Sequence, residues 1–248
     1  MPSFGVILAA AGRSSRFQDT NYKKPFAPLA GRPVWLHSAE RFTDRPDVKQ
    51  VVVVVSPEDR AGFVEKFGAN LAFMGITLAE GGDERSDSVR NGLEKLSADC
   101  DMVAIHDAAR PCIAPAWIDR VFEAGARTGA AILAIPVVGT LKRVGPDKTI
   151  TETVDRTGLW EAQTPQVFAR DLLVRGFAAA AAAGRQPTDE AQLVEALGQK
   201  VTVVQGSPVN LKITSREDLR LAEQSLKALP TPKFNGPAHP FADDGMWR

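Results

Sequence analysis

A segment of small and cationic residues follows the first apolar run of the chain. Its members are Ala10, Ala11, Gly12, Arg16 and Lys24. Small residues let a backbone approach a nucleotide closely, and backbone N–H groups combined with Arg and Lys can hold a triphosphate. The segment is not a P-loop, because Gly-Lys-Ser/Thr is missing, and it lacks the three glycines of a dinucleotide fingerprint. Composition alone leaves two interpretations open, a triphosphate loop and an ordinary tight turn with solvated charges.

A second candidate loop, Gly81 to Val89, precedes a predicted helix. Two glycines followed by side-chain acceptors and hydroxyls could recognise the edge of a base, with the helix starting beneath it. Taken alone, the loop is more simply a capped helix start, with Asp83 or Ser86 as the cap.

A third loop, His106 to Pro111, comes directly after an apolar run that is typical of a buried strand. Asp107, at the end of such a strand and beside phosphates, is a natural ribose or metal contact, and Arg110 could hold an anion. A lone His after a core strand is more often a hydrogen-bonded structural residue than a catalyst, and we interpret His106 in that way.

A fourth segment, Asn210 to Thr214, leaves the last predicted strand and carries Lys212. We expect Lys212 to point into the same ligand-binding cleft as Lys24. Together with Arg16, these lysines supply the positive charge that nucleotidyl transfer needs, since its transition state spreads negative charge over the oxygens of the α-phosphorus.

Short apolar runs alternate with longer amphipathic stretches, a pattern that predicts alternating strands and helices. The predicted strands are Val6–Ala10, Val51–Ser56, Ile76–Ala79, Met102–Ile105, Ala131–Pro136 and Val201–Gln205. The predicted helices are Val34–Phe42, Pro57–Phe67, Ser86–Leu96, Pro115–Thr128, Asp171–Ala183, Asp189–Leu197 and one that opens at Ser215, which has capping-box spacing to Asp218. Runs such as Val51 to Val55 are apolar throughout, as is typical of strands covered on both faces. We therefore predict a Rossmann-like, doubly wound α/β fold with a mostly parallel sheet, in which ligands bind at the carboxyl ends of the strands.

Residues Val138 to Gln163 interrupt this rhythm with alternating charged and β-branched residues around a turn at Gly145 to Lys148. We predict a hairpin arm that projects from the sheet. Since an isolated two-stranded hairpin is only marginally stable in water, the arm should pack on another subunit. Residues 229–248 are rich in proline and lack periodicity, and they form a predicted tail beyond a domain of residues 1–228.

The composition narrows the class of protein. The 248 residues carry a formal net charge of +0, which argues against a general nucleic-acid or membrane-surface binder. Cys100 and Cys112 are too few for a disulfide framework and should be small buried side chains. No Cys–His or Ser–His nucleophile arrangement is evident, and His37 and His239 are too isolated to form a metal cluster. With no signal peptide or membrane-spanning segment recognisable, we expect a cytoplasmic protein.

Taken together and in order, these segments resemble the 2-C-methyl-D-erythritol 4-phosphate cytidylyltransferases of the non-mevalonate isoprenoid pathway. The resemblance covers residues 4 to about 227. Besides the four loops above, it rests on Thr153-Val154-Asp155-Arg156-Thr157-Gly158-Leu159-Trp160, Gln163-Thr164-Pro165-Gln166 and Thr188-Asp189-Glu190-Ala191. Each segment is weak alone, but the seven in register are specific.

The resemblance implies transfer of CMP from CTP to 2-C-methyl-D-erythritol 4-phosphate, with Mg²⁺ or another divalent cation as cofactor and pyrophosphate as the second product. It implies that the triphosphate and the transition state are held by Arg16, Lys24 and Lys212. The implied CTP contacts are Ala10, Ala11, Gly12, Gly82, Asp83, Ser88 and Asp107, the last of these near the ribose and the metal. Family members are homodimers with interlocking arms, so the implied contacts with the acceptor are Thr140 and Arg156 from the partner's arm, with Arg110 and Thr164.

Two positions depart from the family's usual pattern. Pro25 stands where the family has Gln, which removes a backbone donor, and Ser14 stands where the family often has a second Gly. The nearest alternative is a ribitol-5-phosphate or related polyol-phosphate cytidylyltransferase, which shares the fold and the CTP loops, although the segment Asp155 to Trp160 favours the methylerythritol enzyme. The other alternative is a catalytically silent homologue, which would bind CTP without releasing pyrophosphate.

Overall fold

The apolar runs of the sequence form the centre of a seven-stranded sheet in the computed structural model, which describes residues 2–12 and 23–230. In chain order the strands are β1 (Phe4–Ala9), β2 (Pro28–Leu29), β3 (Arg32–Pro33), β4 (Val48–Val55), β5 (Thr77–Glu80), β6 (Met102–Asp107), β7 (Ala130–Pro136), β8 (Leu141–Val144), β9 (Ile150–Val154), β10 (Trp160–Ala169) and β11 (Thr202–Gln205). The helices are α1 (Val34–Thr43), α2 (Pro57–Phe73), α3 (Arg85–Lys95), α4 (Pro115–Thr128), α5 (Arg170–Ala182), α6 (Glu190–Glu195) and α7 (Arg216–Lys227), with one 3₁₀ turn at Lys24–Phe26.

The strand order of the large sheet is β11-β7-β10-β6-β1-β4-β5. β1 pairs in parallel with β4 and β6, β4 with β5, and β7 with β11. Only β10 runs antiparallel to its neighbours β6 and β7 within this sheet of the described residues. The mostly parallel arrangement confirms the predicted doubly wound α/β class.

The valines of β4 show why its sequence is apolar throughout. Val51, Val53 and Val55 pack into a cluster with residues of α1, α2 and α4, whereas Val52 and Val54 pack into a cluster with residues of α3, α5 and α6. All five side chains are buried. Because alternate side chains of a strand point to opposite faces, helices must cover both faces of the sheet.

The predicted helices are confirmed with small changes at their ends. α4 has the predicted bounds, α2 continues past the predicted Phe67 to Phe73, and α6 is shorter than predicted. The predicted start of α7 is confirmed as well. The backbone N–H of Ser215 donates to Asp218 Oδ2 at 2.8 Å, and the N–H of Asp218 donates to Ser215 Oγ at 3.4 Å.

The sequence pattern does not predict β10, which enters the central sheet directly from the arm. Its first residues, Trp160 to Ala162, pair with β7, so the end of the predicted arm 138–163 belongs to the main sheet. The hairpin itself consists of β8 and β9, which form a separate two-stranded antiparallel sheet. β10 escapes prediction because its outer half is exposed and its buried half contains polar residues, so it shows neither a continuous apolar run nor a clean alternation.

Both cysteines are buried and form no disulfide, as predicted. Burial raises the pKa of the Cys112 thiol to about 12. Within residues 2–12 and 23–230, none of the helices has the length and apolar character needed to cross a membrane. The cytoplasmic location stays a prediction, and the proline-rich tail beyond residue 230 lies outside the described residues, as does His239.

Candidate active site

Loops at the carboxyl ends of the parallel strands enclose a cavity of about 310 Å³. Because β1, β5 and β6 run in the same direction, the segments that follow them meet at one edge of the sheet. The cavity is lined by Ala9, Ala10, Ala11, Gly12, Lys24, Pro25, Gly82, Asp83, Glu84, Arg85, Ser88, Asp107, Ala109 and Lys212. Every predicted CTP contact and both predicted catalytic lysines are therefore brought together.

The short 3₁₀ turn separates two neighbouring lysines. Lys24 lines the cavity, whereas Lys23 Nζ lies 2.7 Å from an Asp59 carboxylate oxygen and 3.2 Å from one of Glu58. Pro25 lies within the first two positions of this turn, where a missing backbone N–H leaves no helical hydrogen bond unmade. The departure at Pro25 thus fits the local fold. The third predicted catalytic cation, Arg16, and the departure at Ser14 lie outside the described residues.

Two glycines allow the loop after β5 to pack tightly, Gly81 on the loop after β1 and Gly82 on the first turn of α3. A Cβ atom at Gly81 would lie 2.6 Å from the Cβ of Ala11, and one at Gly82 would lie 2.5 Å from the Cβ of Asp87. The N–H of Gly82 donates to Ser88 Oγ at 3.1 Å, and Ser88 Oγ donates to the carbonyl oxygen of Glu84 at 3.1 Å. The loop backbone is therefore held in a defined shape along one wall of the cavity.

The cap of α3 differs from the expected Asp83 or Ser86. Glu84 is the N-cap residue, and its backbone N–H donates to Asp87 Oδ2 at 3.3 Å in a capping box. Asp83 instead lines the cavity wall.

Asp107, at the end of β6, is the electrostatic centre of the cavity wall. Lys212 Nζ lies 2.8 Å from its Oδ2, Arg110 Nε lies 3.6 Å from the same atom, and Arg85 Nε lies 3.5 Å from Oδ1. Burial alone would raise the pKa of this carboxyl, but the three cations outweigh burial and hold its pKa well below the ordinary value. Asp107 is therefore ionised at neutral pH although it is only 7% exposed.

His106 lies behind this wall and has both ring nitrogens occupied. Its Nε2 lies 3.0 Å from the carbonyl oxygen of Arg110, and its Nδ1 lies 3.1 Å from Thr164 Oγ1. Thr164 Oγ1 in turn accepts a hydrogen bond of 3.0 Å from the backbone N–H of Asp107. Burial lowers the pKa of His106 to about 4, so the ring is neutral at pH 7 and its contacts are structural.

Two predicted acceptor contacts, Arg110 and Thr164, are buried beside His106 and are not among the residues that line the cavity. Arg110 Nη1 donates to the carbonyl oxygen of Asn210 at 2.8 Å, and Asn210 Nδ2 donates to the carbonyl oxygen of Thr164 at 2.9 Å. Both residues thus support the floor of the cavity through these groups, whereas Arg110 Nε is buried without a hydrogen-bond partner among the described residues. A direct contact with substrate stays a prediction for both.

The sequence reasoning missed an ion pair at the cavity edge. Arg85 lines the cavity, and its Nη1 donates to both carboxylate oxygens of the buried Glu190, at 2.7 and 2.9 Å. Both residues stand in the segments that carry the family resemblance, which was the available signal. Nothing in the local sequence pairs them, because they are 105 residues apart.

The predicted arm contacts, Thr140 and Arg156, are exposed and do not line the cavity of their own chain. Arg156 Nη1 contacts the carbonyl oxygen of Val138 across the base of the arm. Within one chain, therefore, the arm and the cavity are separate.

Comparison with known proteins agrees with this arrangement. Residues 4–228 match the family model described as 2-C-methyl-D-erythritol 4-phosphate cytidylyltransferase. A protein of that name from Rhodopirellula baltica is 46% identical over 235 residues, which cover 90% of this chain and 95% of the relative. The crystal structure of a 4-diphosphocytidyl-2C-methyl-D-erythritol synthase matches with a TM-score of 0.77 at 35% identity, covering 91% of this chain and 99% of that chain. The crystal structure of 2-C-methyl-D-erythritol 4-phosphate cytidylyltransferase from Thermus thermophilus matches with a TM-score of 0.72 at 33% identity, covering 92% of this chain and 100% of that chain.

Proposed function

The chain belongs to the 2-C-methyl-D-erythritol 4-phosphate cytidylyltransferase family, and on this premise we propose that its cavity transfers CMP from CTP to 2-C-methyl-D-erythritol 4-phosphate. A phosphate oxygen of the acceptor forms a bond to the α-phosphorus of CTP. The bond from that phosphorus to the oxygen bridging to the β-phosphate breaks, and pyrophosphate leaves with the electron pair. The other product is 4-diphosphocytidyl-2-C-methyl-D-erythritol. We assign this activity to residues 1–228 and treat residues 229–248 as a separate tail.

The observation that carries the proposal is the meeting of Lys24, Lys212 and Asp107 with a wall of small residues in one cavity. These residues come from separate loops, and the parallel sheet brings them to one edge. A nucleoside triphosphate needs a close-fitting surface for its base and cations for its phosphates. The cavity offers both.

The lysines stabilise the negative charge of the triphosphate and of the transition state. We assign Lys24 and Lys212, together with Arg16, to the triphosphate and to the negative charge that grows on the α-phosphorus oxygens. The second pKa of a phosphate monoester is about 6, so the attacking phosphate oxygen of the acceptor is already ionised at neutral pH. No general base is needed, which agrees with a neutral His106 whose nitrogens are both engaged.

The small residues suit the cytosine and ribose. Ala10, Ala11, Gly12 and Gly82 line the cavity, and their lack of bulky side chains lets a base approach the backbone closely. Asp83 and Ser88 add polar side chains to the same wall. We assign all six to CTP binding.

Asp107 suits Mg²⁺ as one ligand, because the carboxylate is ionised and lies in the cavity wall. Mg²⁺ is usually bound through one or two carboxylates, with substrate phosphates and water completing its shell. Among the described residues no group of three or more His, Cys, Asp or Glu side chains could hold a metal ion. When bound there, Mg²⁺ neutralises phosphate charge.

The arm supports a homodimer. Large apolar side chains are exposed on and beside it, namely Val138, Leu141, Val144, Ile150, Leu159 and Trp160. A cluster of exposed apolar side chains marks a surface that binds a partner. We propose that the partner is a second copy of the chain and that Thr140 and Arg156 contact the acceptor phosphate in its cavity, where Arg110 and Thr164 support the floor.

Pyrophosphate release by the purified chain tests the proposal. The protein is assayed with CTP and Mg²⁺, once with 2-C-methyl-D-erythritol 4-phosphate and once with ribitol 5-phosphate. We expect release with the first acceptor only. Release with ribitol 5-phosphate only would overturn the acceptor and leave the CTP chemistry in place. Binding of CTP without release for either acceptor would identify a catalytically silent homologue.

A further inference from the structure

Arg85 and Glu190 join the first turns of two helices at the edge of the cavity. Arg85 is the first residue of α3 and is partly exposed in the cavity wall, whereas Glu190 is the first residue of α6 and is fully buried. The guanidinium donates through Nη1 to both oxygens of the carboxylate, at 2.7 and 2.9 Å. A buried carboxylate needs such a partner, so each side chain fixes the other.

The same guanidinium reaches Asp107. Arg85 Nε lies 3.5 Å from Asp107 Oδ1, whereas Lys212 and Arg110 approach Oδ2, at 2.8 and 3.6 Å. The carboxylate of Asp107 is therefore contacted at both oxygens. Because a guanidinium is planar and rigid, an Nη1 held by Glu190 also sets the direction of Nε.

Glu190 has a fixed position of its own. Gln166 of β10 donates through Nε2 to Asp189, the cap of α6, at 2.9 Å, and its Oε1 accepts from the backbone N–H of Ala191 at 3.2 Å. Gln166 lies opposite Ile105 in the neighbouring β6, the strand that ends in Asp107. Arg85 is thus anchored, through α6 and β10, to the strand that carries the carboxylate it contacts.

We propose that Arg85, held by Glu190, is a positioning residue that fixes the orientation of the Asp107 carboxylate in the cavity. This inference rests on the proposed function and deepens it. Lys212 pairs with Asp107 in the structure, but during transfer it is needed at the phosphates. When Lys212 turns to the phosphates, Arg85 keeps hold of the other oxygen of Asp107.

The pair is tested by steady-state kinetics and by equilibrium binding of CTP, both on the full chain. The variants are Arg85→Lys, Arg85→Gln, Glu190→Gln and the double variant Arg85→Gln/Glu190→Gln. Removing a residue that orients a ligand group typically costs about 10–100-fold in activity. We expect each single variant to lose that much in kcat, while its KM and Kd for CTP stay within about threefold of the wild type. Arg85→Lys should fall with the others, because an ammonium group lacks the fork that contacts two carboxylates.

The double variant and a control make the test specific. Both substitutions disable the same contact between Arg85 and Glu190. The fold decrease in kcat of the double variant should therefore equal that of a single variant, and not the product of the two single decreases. The control is Arg175→Gln, which removes an exposed Arg whose Nη2 lies 3.5 Å from Asp171 on α5, and it should leave kcat and KM unchanged.

Three outcomes would overturn the inference. They are single variants with nearly full kcat, a double variant that loses the product of the single losses, and a rise in KM for CTP at unchanged kcat, which would make Arg85 a nucleotide contact. If none of the variants showed a cooperative thermal melt, the pair would serve stability alone and the inference would also be wrong. A wild-type chain that releases no pyrophosphate would instead overturn the proposed function.

Discussion

Replacing Gly81 with alanine should separate the two loops that form the small-residue wall of the cavity. The new Cβ would lie 2.6 Å from Ala11 Cβ and 2.8 Å from Ser88 Oγ. Carbon atoms in contact sit about 3.5–4.0 Å apart, so one loop must move by about 1 Å. Ala11 Cβ is attached directly to the backbone and cannot rotate away. A shift of about 1 Å at a reacting centre costs about 100-fold in rate, and overpacking costs about 1–3 kcal/mol of stability.

We therefore expect Gly81→Ala to lower kcat/KM for CTP about 100-fold and to lower the free energy of unfolding by about 1–3 kcal/mol. The assays are pyrophosphate release at varied CTP and urea unfolding. Gly62→Ala is the matched control, because a Cβ at Gly62 in α2 meets no atom within 4 Å. That change should leave the kinetics unaltered and raise stability by about 0.5–1 kcal/mol, since glycine disfavours a helix interior.

A second change separates crowding from other effects of the substitution. Ala11→Gly removes the atom at 2.6 Å, so the double variant Ala11→Gly/Gly81→Ala should recover part of the lost kcat/KM. If Gly81→Ala kept nearly wild-type kinetics and stability, the close approach of the two loops would not matter for the nucleotide. A double variant no better than Gly81→Ala would show that contact with Ala11 is not the cause.

Three further predictions concern other parts of the molecule. Lys24→Ala should lower kcat about 100- to 1,000-fold, because it removes a group that stabilises transition-state charge. The control Lys23→Ala removes a lysine that pairs with Asp59 at 2.7 Å, and it should leave kcat and KM unchanged. Equal losses of kcat in the two variants would contradict the assignment of Lys24. Burial lowers the pKa of His106 from 6.5 to about 4. As the pH falls, His106 therefore takes up a proton in the unfolded chain before it does so in the folded chain. The free energy of unfolding should decrease by about 2 kcal/mol between pH 7 and about pH 5. Urea melts at both pH values should show a smaller loss for His106→Gln, and an equal loss would refute this reasoning. Mixing inactive Arg156→Ala and Lys24→Ala subunits should regenerate one working site per heterodimer, and mixtures as inactive as their parents would rule out action of the arm on the partner's cavity.

The sequence predicts the sheet and the cavity because both depend on local patterns. β4 is apolar throughout, and the structure covers both of its faces. Each candidate loop follows an apolar run, and parallel strands bring such loops to one edge. The residues Lys24, Asp107 and Lys212 could therefore be placed together from the sequence alone.

The features that escaped prediction depend on partners far along the chain. The buried part of β10 contains Gln163, Thr164 and Gln166, polar side chains that break the apolar pattern expected of a buried strand. Their hydrogen bonds go to distant groups, such as Asn210 and Asp189, and these allow polar side chains inside the sheet. Glu190 looks like a surface residue of a short helix until Arg85 is placed against it.

β10 also joins the arm to the floor of the cavity. It carries Trp160 at the base of the arm and Thr164 beneath Asp107. An insertion of one residue within Trp160 to Ala162, where β10 pairs regularly with β7, would turn the following side chains to the opposite face of the sheet and withdraw Thr164 from the Asp107 N–H. An insertion in the turn at Gly145 to Lys148 would leave β10 in register. Lengthening the tip of the arm is therefore expected to leave the cavity intact, whereas lengthening its base is expected to disturb the contact beneath Asp107.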